Sequence, residues 1–257
     1  NIALSSPLNE SVQKSFAILD LLRGSRQEIT AAVVVKEIGL NSVTANRFLR
    51  SLEHVGALVS SRKGTYRLGY ALVDLGQSAC DAGHVAPLLQ PILDHLAANL
   101  QESSMATQFR DGQVVAIATA DSARPLVVNI RVGSRFVAHA TAHGKIWLSS
   151  LSDKDLDHYL IHTKMESLCR NTITDVGFLR QELEKIRQQG YAENISEHDD
   201  GICAIAVPIV SRTGKMITSI SVFGPEQRFT QKFKKIALKE LKQAATQAMN
   251  SLYGDIG

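Results

Sequence analysis

Apolar residues recur at helical spacing through the first part of the chain and at strand spacing directly after it. Residues 12–23 carry a broad apolar stripe, and residues 30–38 carry a shorter one for which Thr30 is a suitable N-cap. The segment NSVTANRFLRSLEHVGAL, residues 41–58, opens with polar residues, continues with apolar residues spaced i, i+3, i+4 and i+7, and closes at Gly56. The pattern predicts three helices in succession.

Two short strand-like runs follow the third helix. Residues 58–60 and 65–68 flank the tripeptide RKG, which predicts a hairpin. Two helices, a turn, a third helix and a hairpin form the order of a winged helix-turn-helix domain. We assign this domain to residues 11–70. Residues 1–10, which lack the basic and apolar regions of a signal peptide, are interpreted as a flexible arm.

Helical and strand-like segments alternate through the rest of the chain. Residues 71–86 are predicted to form a linker helix that serves dimerisation, and residues 87–257 a second domain. Strands are expected on both sides of an Asp111-Gly112 turn and over residues 126–139, 191–196, 202–210 and 215–224. Helices are expected over residues 141–150, 153–162, 175–189 and 230–253. This order predicts an α/β (α+β) two-domain protein whose second domain has a mostly antiparallel sheet.

Composition narrows the class of protein. The 257 residues are 44% hydrophobic and 21% charged, as in ordinary globular domains. The cysteines Cys80, Cys169 and Cys203 are far apart and form no CxxC pair, which favours a reducing cytoplasm over secretion. No apolar run approaches the ~18 residues of a membrane helix, so we expect no membrane partner.

Common enzyme motifs are absent from the sequence, which contains no GxSxG, Walker A loop, GxGxxG or HExxH. We therefore expect a protein that is not an enzyme and binds no cofactor. Two histidine pairs at i, i+4 spacing, His139 with His143 and His158 with His162, lack a third ligand nearby in the sequence, so we expect no metal site. Residues 196–201, SEHDDG, are interpreted as a solvated loop or as a cap over a pocket.

Basic residues concentrate in the predicted third helix and hairpin. The net charge of the whole chain is only +3, yet residues 36–70 carry six basic and two acidic side chains. A third helix that buries its apolar stripe turns Arg47 and Arg50 outward, where they can reach the bases or phosphates of double-stranded DNA. The alternatives are that these arginines are merely solvated or that the winged domain contacts a protein. The candidate DNA-binding residues are Ser42, Thr44, Asn46, Arg47, Arg50, Arg62, Lys63 and Arg67.

Several segments of the chain resemble a known family. SVQKSFAILDLL, GLNSVTANRFLRSLEHVGAL and GTYRLGYALVDLG resemble the winged-helix domain of IclR-type bacterial transcriptional regulators. RVGSRFVAHATAHGKIWLSSL, QQGYAENISEHDDGICAIAVPI and SISVFGPEQRF resemble the effector-binding domain of that family. The resemblance runs from residue 11 to about residue 252, with the segments in the family's order.

The resemblance implies a one-component regulator. Members of the family usually repress, though some activate, and we expect this chain to repress a catabolic operon. Its N-terminal domain is expected to bind operator DNA, its GAF-like C-terminal domain a small metabolite that changes operator affinity, and the chain to act as a homodimer or homotetramer. The third helix departs from the family at Ser42, Val43 and Asn46, so base preference does not transfer. The alternative function is a metabolite-binding GAF-type sensor whose winged domain contacts protein.

The resemblance also implies an effector site. HATAHGK matches the family's turn into a helix under the pocket, and main-chain N–H groups at such a helix start suit a carboxylate. Period-two alternation in SISVFG places Ser219, Ser221 and Phe223 on one strand face. These residues imply that the effector is an organic acid, aromatic or otherwise partly apolar. The alternative for Phe223 and Val128 is that they are ordinary core residues. The implied effector-binding residues are Val128, Ala142, His143, Gly144, Asn194, Ala204, Ser219, Ser221 and Phe223.

Overall fold

The computed structural model describes most of the chain as two compact units, which divide between Gly83 and His84. The described residues are 8–81 and 85–253. Outside them lie residues 1–7 of the predicted arm, residues 82–84 of the predicted linker, and residues 254–257. Each unit has a hydrophobic core of its own.

The first unit contains three helices, a small sheet and a fourth helix. In chain order these are α1 (Glu10–Asp20), β1 (Ile29–Thr30), α2 (Ala31–Ile38), α3 (Ser42–His54), β2 (Leu58–Arg62), β3 (Thr65–Leu68) and α4 (Tyr70–Asp81). The strands form an antiparallel sheet in the order β1-β3-β2. The predicted order of helices and hairpin is therefore confirmed. Strand β1 was not predicted, because a two-residue strand leaves no periodic pattern in the sequence.

The ends and the inner face of α3 are fixed by local chemistry. The side chain of Asn41 caps the helix by accepting a hydrogen bond from the N–H of Thr44 at 2.8 Å. Gly56, with a left-handed φ of +74°, closes the turn after the helix. Ala45 and Leu49 are completely buried in one core with side chains from α1 and α2. This burial leaves the opposite face of α3 to solvent.

The second unit is a six-stranded sheet covered by helices on both faces. Its elements are α5 (Val85–Leu100), β4 (Ser103–Arg110), β5 (Gln113–Ala120), β6 (Arg135–Val137), α6 (Ala142–Ser150), α7 (Asp153–His162), α8 (Val176–Gln189), β7 (Ala192–Ile195), β8 (Ile202–Val210), β9 (Met216–Pro225), a short 3-10 helix (Glu226–Arg228) and α9 (Gln231–Tyr253). The sheet order is β6-β5-β4-β9-β8-β7, and neighbouring strands are antiparallel. Asp111 and Gly112, both at positive φ, form the predicted turn between β4 and β5.

Alternation along the strands separates two cores. Ile220 and Val222 of β9 pack with α5 and α9 on one face of the sheet. Phe223 lies in the second core, with α6, α7 and α8, and Ser219 and Ser221 lie on that same face. The face that carries α6 therefore mixes hydroxyl groups with apolar side chains, whereas the other face is mainly apolar.

The strand predicted over residues 126–139 is mostly wrong, because only β6 forms there. Val128 and Ile130 are half-buried against the core beside α6, so a loop produces their alternating apolar pattern. Gly133, at a φ of +91°, donates its N–H to the carbonyl of Ala116 at 2.8 Å and turns the chain toward β6. Across residues 8–81 and 85–253, none of the helices has both the length and the apolar character to span a membrane.

Gly144 of α6 occupies a position that excludes a side chain. A Cβ there would lie 2.1 Å from the carbonyl oxygen of Ala138 and 2.2 Å from its Cα. We expect Gly144→Ala to destabilise the second unit by ~3 kcal/mol or more, since backbone must move to relieve the clash. Gly76→Ala in α4 is the matched control, because nothing lies within 4 Å of its Cβ. Thermal unfolding of the two variants measures the difference, and equal midpoints would contradict the close contact.

Candidate functional site

The exposed face of α3 brings together four of the candidate DNA-binding residues. Ser42, Asn46, Arg47 and Arg50 are all exposed, and Thr44 is half-buried. Asn46, Arg47 and Arg50 border a shallow groove along α3. The residues that line this groove are Val43, Asn46, Arg47, Arg50, Ser51, His54 and Val55.

The arginines of this face are available to an external anion. Within residues 8–81 and 85–253, neither Arg47 nor Arg50 forms a side-chain hydrogen bond or an ion pair. Asn46 donates an N–H of its side-chain amide to the carbonyl of Ser42 at 2.8 Å, which orients the amide and leaves its oxygen as an acceptor. Two uncompensated guanidinium groups beside an oriented amide suit the phosphates and base edges of a nucleic acid.

The wing carries the other three candidate DNA-binding residues, but their charges are not all free. Arg62, Lys63 and Arg67 are exposed. The guanidinium groups of Arg62 and Arg67 lie 3.5 Å and 2.7 Å from the carboxylate of Glu28. Glu28 precedes the segment 36–70, so the local charge counted from the sequence does not include it. Sequence reasoning missed this residue, because its contact with the wing depends on the pairing of β1 with β3.

A cavity opens in the second unit between the sheet, the start of α6 and the loop before β8. The space between its walls, including the mouth, measures about 460 Å³. Six predicted effector-binding residues line it: Val128, Ala142, His143, Asn194, Ala204 and Phe223. Eight further residues line it: Met105, Val114, Ile130, Phe136, Thr141, His198, Asp199 and Ile202. His198 and Asp199 belong to the segment 196–201, for which a cap over a pocket was one of two interpretations, and the other six were not predicted. Mainly apolar walls with a few polar groups among them are typical of sites for small organic ligands.

The other three predicted residues do not line the cavity. Ser219 and Ser221 are fully buried behind His143, whose Nδ1 lies 2.5 Å from Ser219 Oγ and whose Nε2 lies 2.7 Å from Ser221 Oγ. Gly144 donates its N–H to the side chain of Thr141, and its missing side chain makes room for the Ala138 backbone. The two serines therefore contact His143 rather than the cavity itself.

The hydroxyl cluster around His143 extends to β4. Thr107 Oγ1 lies 3.0 Å from His143 Nδ1 and 2.7 Å from Ser219 Oγ, and it accepts a hydrogen bond from the Trp147 indole at 3.3 Å. Burial lowers the pKa of His143 from 6.5 to about 3, so the imidazole is neutral. A neutral ring has one donor and one acceptor nitrogen, and hydroxyl groups can satisfy both.

The start of α6 supplies the cavity with backbone donors. Thr141 caps the helix, and the first intrahelical hydrogen bond is donated by Lys145 to the Thr141 carbonyl. The N–H groups of Ala142 and His143 precede that bond, at the positive end of the helix dipole. Because Thr141, Ala142 and His143 all line the cavity, the positive end of this helix dipole lies at its wall.

Two residues of the loop 196–201 line the cavity, which favours the cap interpretation of this loop. His198 and Asp199 line the cavity and lie 2.7 Å apart, Nδ1 to Oδ2. Glu197 of this loop forms an ion pair with α6: its carboxylate lies 2.7 Å from the ammonium of the buried Lys145. Burial raises the pKa of Glu197 and Lys145 opposes that change, so the pair links the loop to α6.

No group of three or more His, Cys, Asp or Glu side chains within residues 8–81 and 85–253 could hold a metal ion. His139 precedes α6 rather than sharing it with His143, and its Nε2 lies 2.9 Å from the Glu166 carbonyl. Burial raises the pKa of Cys203 to about 11, which keeps its thiol protonated.

Two family profiles together span most of the chain. The profile described as "Bacterial transcriptional regulator IclR C-terminal" matches residues 77–250, and the "IclR helix-turn-helix domain" profile matches residues 11–62. The HTH-type transcriptional regulator KipR of Bacillus subtilis is 26% identical over 239 residues, which cover 93% of this chain and 95% of KipR.

Solved structures share the fold. An IclR transcriptional regulator from Silicibacter superposes with a TM-score of 0.77 at 21% identity, covering 96% of this chain and 97% of that one. An IclR homologue from Microbacterium hydrocarbonoxydans, solved in complex with 4-hydroxybenzoate, superposes with a TM-score of 0.62 at 22% identity, covering 94% and 98%. At these identities the likeness establishes the fold alone.

The neutral state of His143 makes stability depend on pH. Between pH 6.5 and about 3 the unfolded chain binds a proton that the folded chain excludes. We therefore expect the stabilisation to be complete above pH 6.5 and to fall by at most ~1.4 kcal/mol per pH unit as the pH drops through this window. Denaturant unfolding followed by tryptophan fluorescence at several pH values measures the slope.

His143→Asn should lose this part of the slope, because it removes the titrating group. His54→Asn, at an exposed position of α3, is the control and should keep the wild-type slope. Equal slopes in the wild type and the His143→Asn protein would contradict a neutral buried imidazole.

Proposed function

Because the chain belongs to the IclR family of bacterial transcriptional regulators, we propose that it is a cytoplasmic repressor of a catabolic operon. Residues 11–70 bind double-stranded operator DNA, residues 71–86 link the domains, and residues 87–257 bind a small organic acid. The acid changes operator affinity, and the working form is a homodimer or homotetramer. The members of the family are regulators and not enzymes.

The exposed face of α3 carries the DNA-binding part of the proposal. A helix that follows a turn and presents Asn46, Arg47 and Arg50 away from its own core suits the major groove. Arg47 and Arg50 have no ion-pair partner in residues 8–81 and 85–253, so approaching DNA breaks no existing salt bridge there. Lys63 at the tip of the wing supports contact with a flanking phosphate.

The cavity of the second unit supports an aromatic acid as effector. Its apolar walls, which include Phe136 and Phe223, suit a ring, and the start of α6 suits a carboxylate. His143 is neutral, so backbone N–H groups and the helix dipole supply the attraction for the anion. Asn194 and Asp199 in the same cavity can accept a hydrogen bond from a hydroxyl group on the ring. The 4-hydroxybenzoate bound by the Microbacterium homologue belongs to this class.

Effector and operator binding are thermodynamically linked in this proposal. An acid that binds more weakly or more tightly in the DNA-bound form changes operator affinity, and DNA changes affinity for the acid by the same factor. The tether between the two sites is the chain around α4 and α5.

Loss of the Arg47 side chain tests the DNA-binding surface. We expect Arg47→Ala to weaken binding to DNA from upstream of its own gene by ~10-fold or more, because a bidentate contact is worth ~1–3 kcal/mol. Fluorescence anisotropy measures the affinity against a scrambled fragment at several salt concentrations. Arg23→Ala is the matched control, since Arg23 lies outside α3 and pairs with Asp20.

A loss no larger than that of Arg23→Ala would remove Arg47 from the DNA-binding surface. Equal, weak binding of the wild type to both fragments would favour the sensor with a protein-contacting winged domain.

The cavity is tested with 4-hydroxybenzoate as the probe. We expect the acid to bind at least ~10-fold more tightly than 4-hydroxybenzamide, because only the carboxylate gains charge-assisted hydrogen bonds at α6. The chain has a single tryptophan, and its position beside the His143 cluster makes its fluorescence a direct readout. Ala204→Leu should abolish binding by filling the cavity. Ala98→Leu, on the exposed side of α5, should bind as wild type, and binding by Ala204→Leu would contradict the assigned cavity.

A further inference from the structure

Glu28 is an acidic residue placed among the basic residues of the wing. It directly precedes β1, which pairs with β3 through Ile29 and Tyr66. This pairing brings the Glu28 carboxylate to the hairpin, 39 residues away in sequence from Arg67. The contact is therefore a product of the fold and not of local sequence.

Three wing side chains converge on this carboxylate. Arg67 donates from Nε at 2.9 Å, and its Nη2 lies 2.7 Å from the same carboxylate oxygen. Ser61 donates its hydroxyl to that oxygen at 3.1 Å, and Arg62 donates from Nη2 to the other oxygen at 3.5 Å. Hydrogen bonds from Arg67 and Ser61 hold the pKa of Glu28 below its ordinary value, so the carboxylate is charged at neutral pH.

The cluster changes the charge that the wing presents to DNA. Of the three basic residues Arg62, Lys63 and Arg67, the two arginines share the charge of Glu28. The arginine side chains are 76% and 53% exposed, and that of Glu28 is 28% exposed, so the pairs lie at the surface where DNA phosphates can compete for them. Surface ion pairs of this kind contribute little to folding.

We propose that Glu28 is a specificity-determining residue, which restrains Arg62 and Arg67 on the wing and lowers sequence-independent affinity for DNA. The inference rests on the proposed function. It concerns how much of the affinity for DNA comes from the wing and how much from α3. Sequence-independent affinity depends on how many phosphates are neutralised by basic side chains. Because Glu28 forms ion pairs with two wing arginines, it reduces the number of phosphates that the wing can neutralise. Sequence selection then depends more strongly on α3, where Arg47 and Arg50 are uncompensated within the described residues.

Glu28→Gln tests the proposal, because the amide keeps the size of the side chain and removes its charge. The probe is a DNA duplex of random sequence, and fluorescence anisotropy measures its affinity for the full-length protein across salt concentrations. We expect roughly threefold or more tighter binding and a slope of log affinity against log salt that is steeper by about 0.9.

Glu37→Gln is the matched control for net charge. Glu37 lies in α2, and its one ion pair within residues 8–81 and 85–253 is a 3.8 Å approach to Arg26 rather than to a wing residue. We expect its affinity and salt slope to stay close to the wild type. Equal gains in Glu28→Gln and Glu37→Gln would reduce the effect to net charge and overturn the proposal, and so would weaker binding by Glu28→Gln.

A double-mutant cycle with Arg67→Gln separates restraint from simple repulsion. Arg67→Gln should weaken binding to the random duplex more in the Glu28→Gln background than in the wild type, because only there is Arg67 released. Equal losses of affinity in both backgrounds would overturn the proposal that Glu28 restrains Arg67. A wild-type protein that binds no duplex at all would instead contradict the proposed function, so the two failures are distinguishable.

Discussion

The pairing of buried polar groups beneath α6 is the constraint on which the second unit depends. His143 of α6 and the hydroxyl groups of Thr107, Ser219 and Ser221 on the strands are all buried, and their burial is tolerable because their polar atoms pair with each other. The pairing fixes α6 against β4 and β9. It thereby fixes the helix start that forms the cavity wall, and Lys145 with Glu197 extends the same restraint to the loop over residues 196–201.

The two candidate surfaces use charge in opposite ways. On α3, guanidinium groups stand in solvent, where salt screens them and phosphate can displace water from them. The cavity walls include no lysine or arginine among the residues the structure describes. The nearby ammonium of Lys145 is already neutralised by Glu197. The charged side chain on those walls is Asp199, which lies 2.7 Å from His198. An anion would therefore depend on the dipole at the start of α6, whose short-range effect salt screens far less than that of exposed charges.

Local periodicity accounts for what the sequence predicted well. The spacing of Ala45, Phe48, Leu49 and Leu52 identified the buried face of α3, and period two placed Ser219, Ser221 and Phe223 on one side of β9. Periodicity carries no information about partners distant in the chain. The contact of Glu28 with the wing and the position of both serines behind His143 could not be predicted for that reason. The apolar pattern around Val128 resembled a strand because a loop against a cavity buries alternate side chains as a strand does.

Neighbouring positions on β9 differ in what a substitution would change. Ile220 and Val222 of β9 serve the core on the α5 and α9 side, where a change of size alters packing throughout the unit. Residues 219, 221 and 223 alternate with them and face the cavity or the groups behind it. Substitution of Phe223 therefore changes the cavity wall directly, whereas substitution of Ser219 or Ser221 acts on the groups behind it, and neither touches the core on the other face. A single strand thus carries both the packing of one core and, at Ser219 and Ser221, the hydroxyl groups that hold α6.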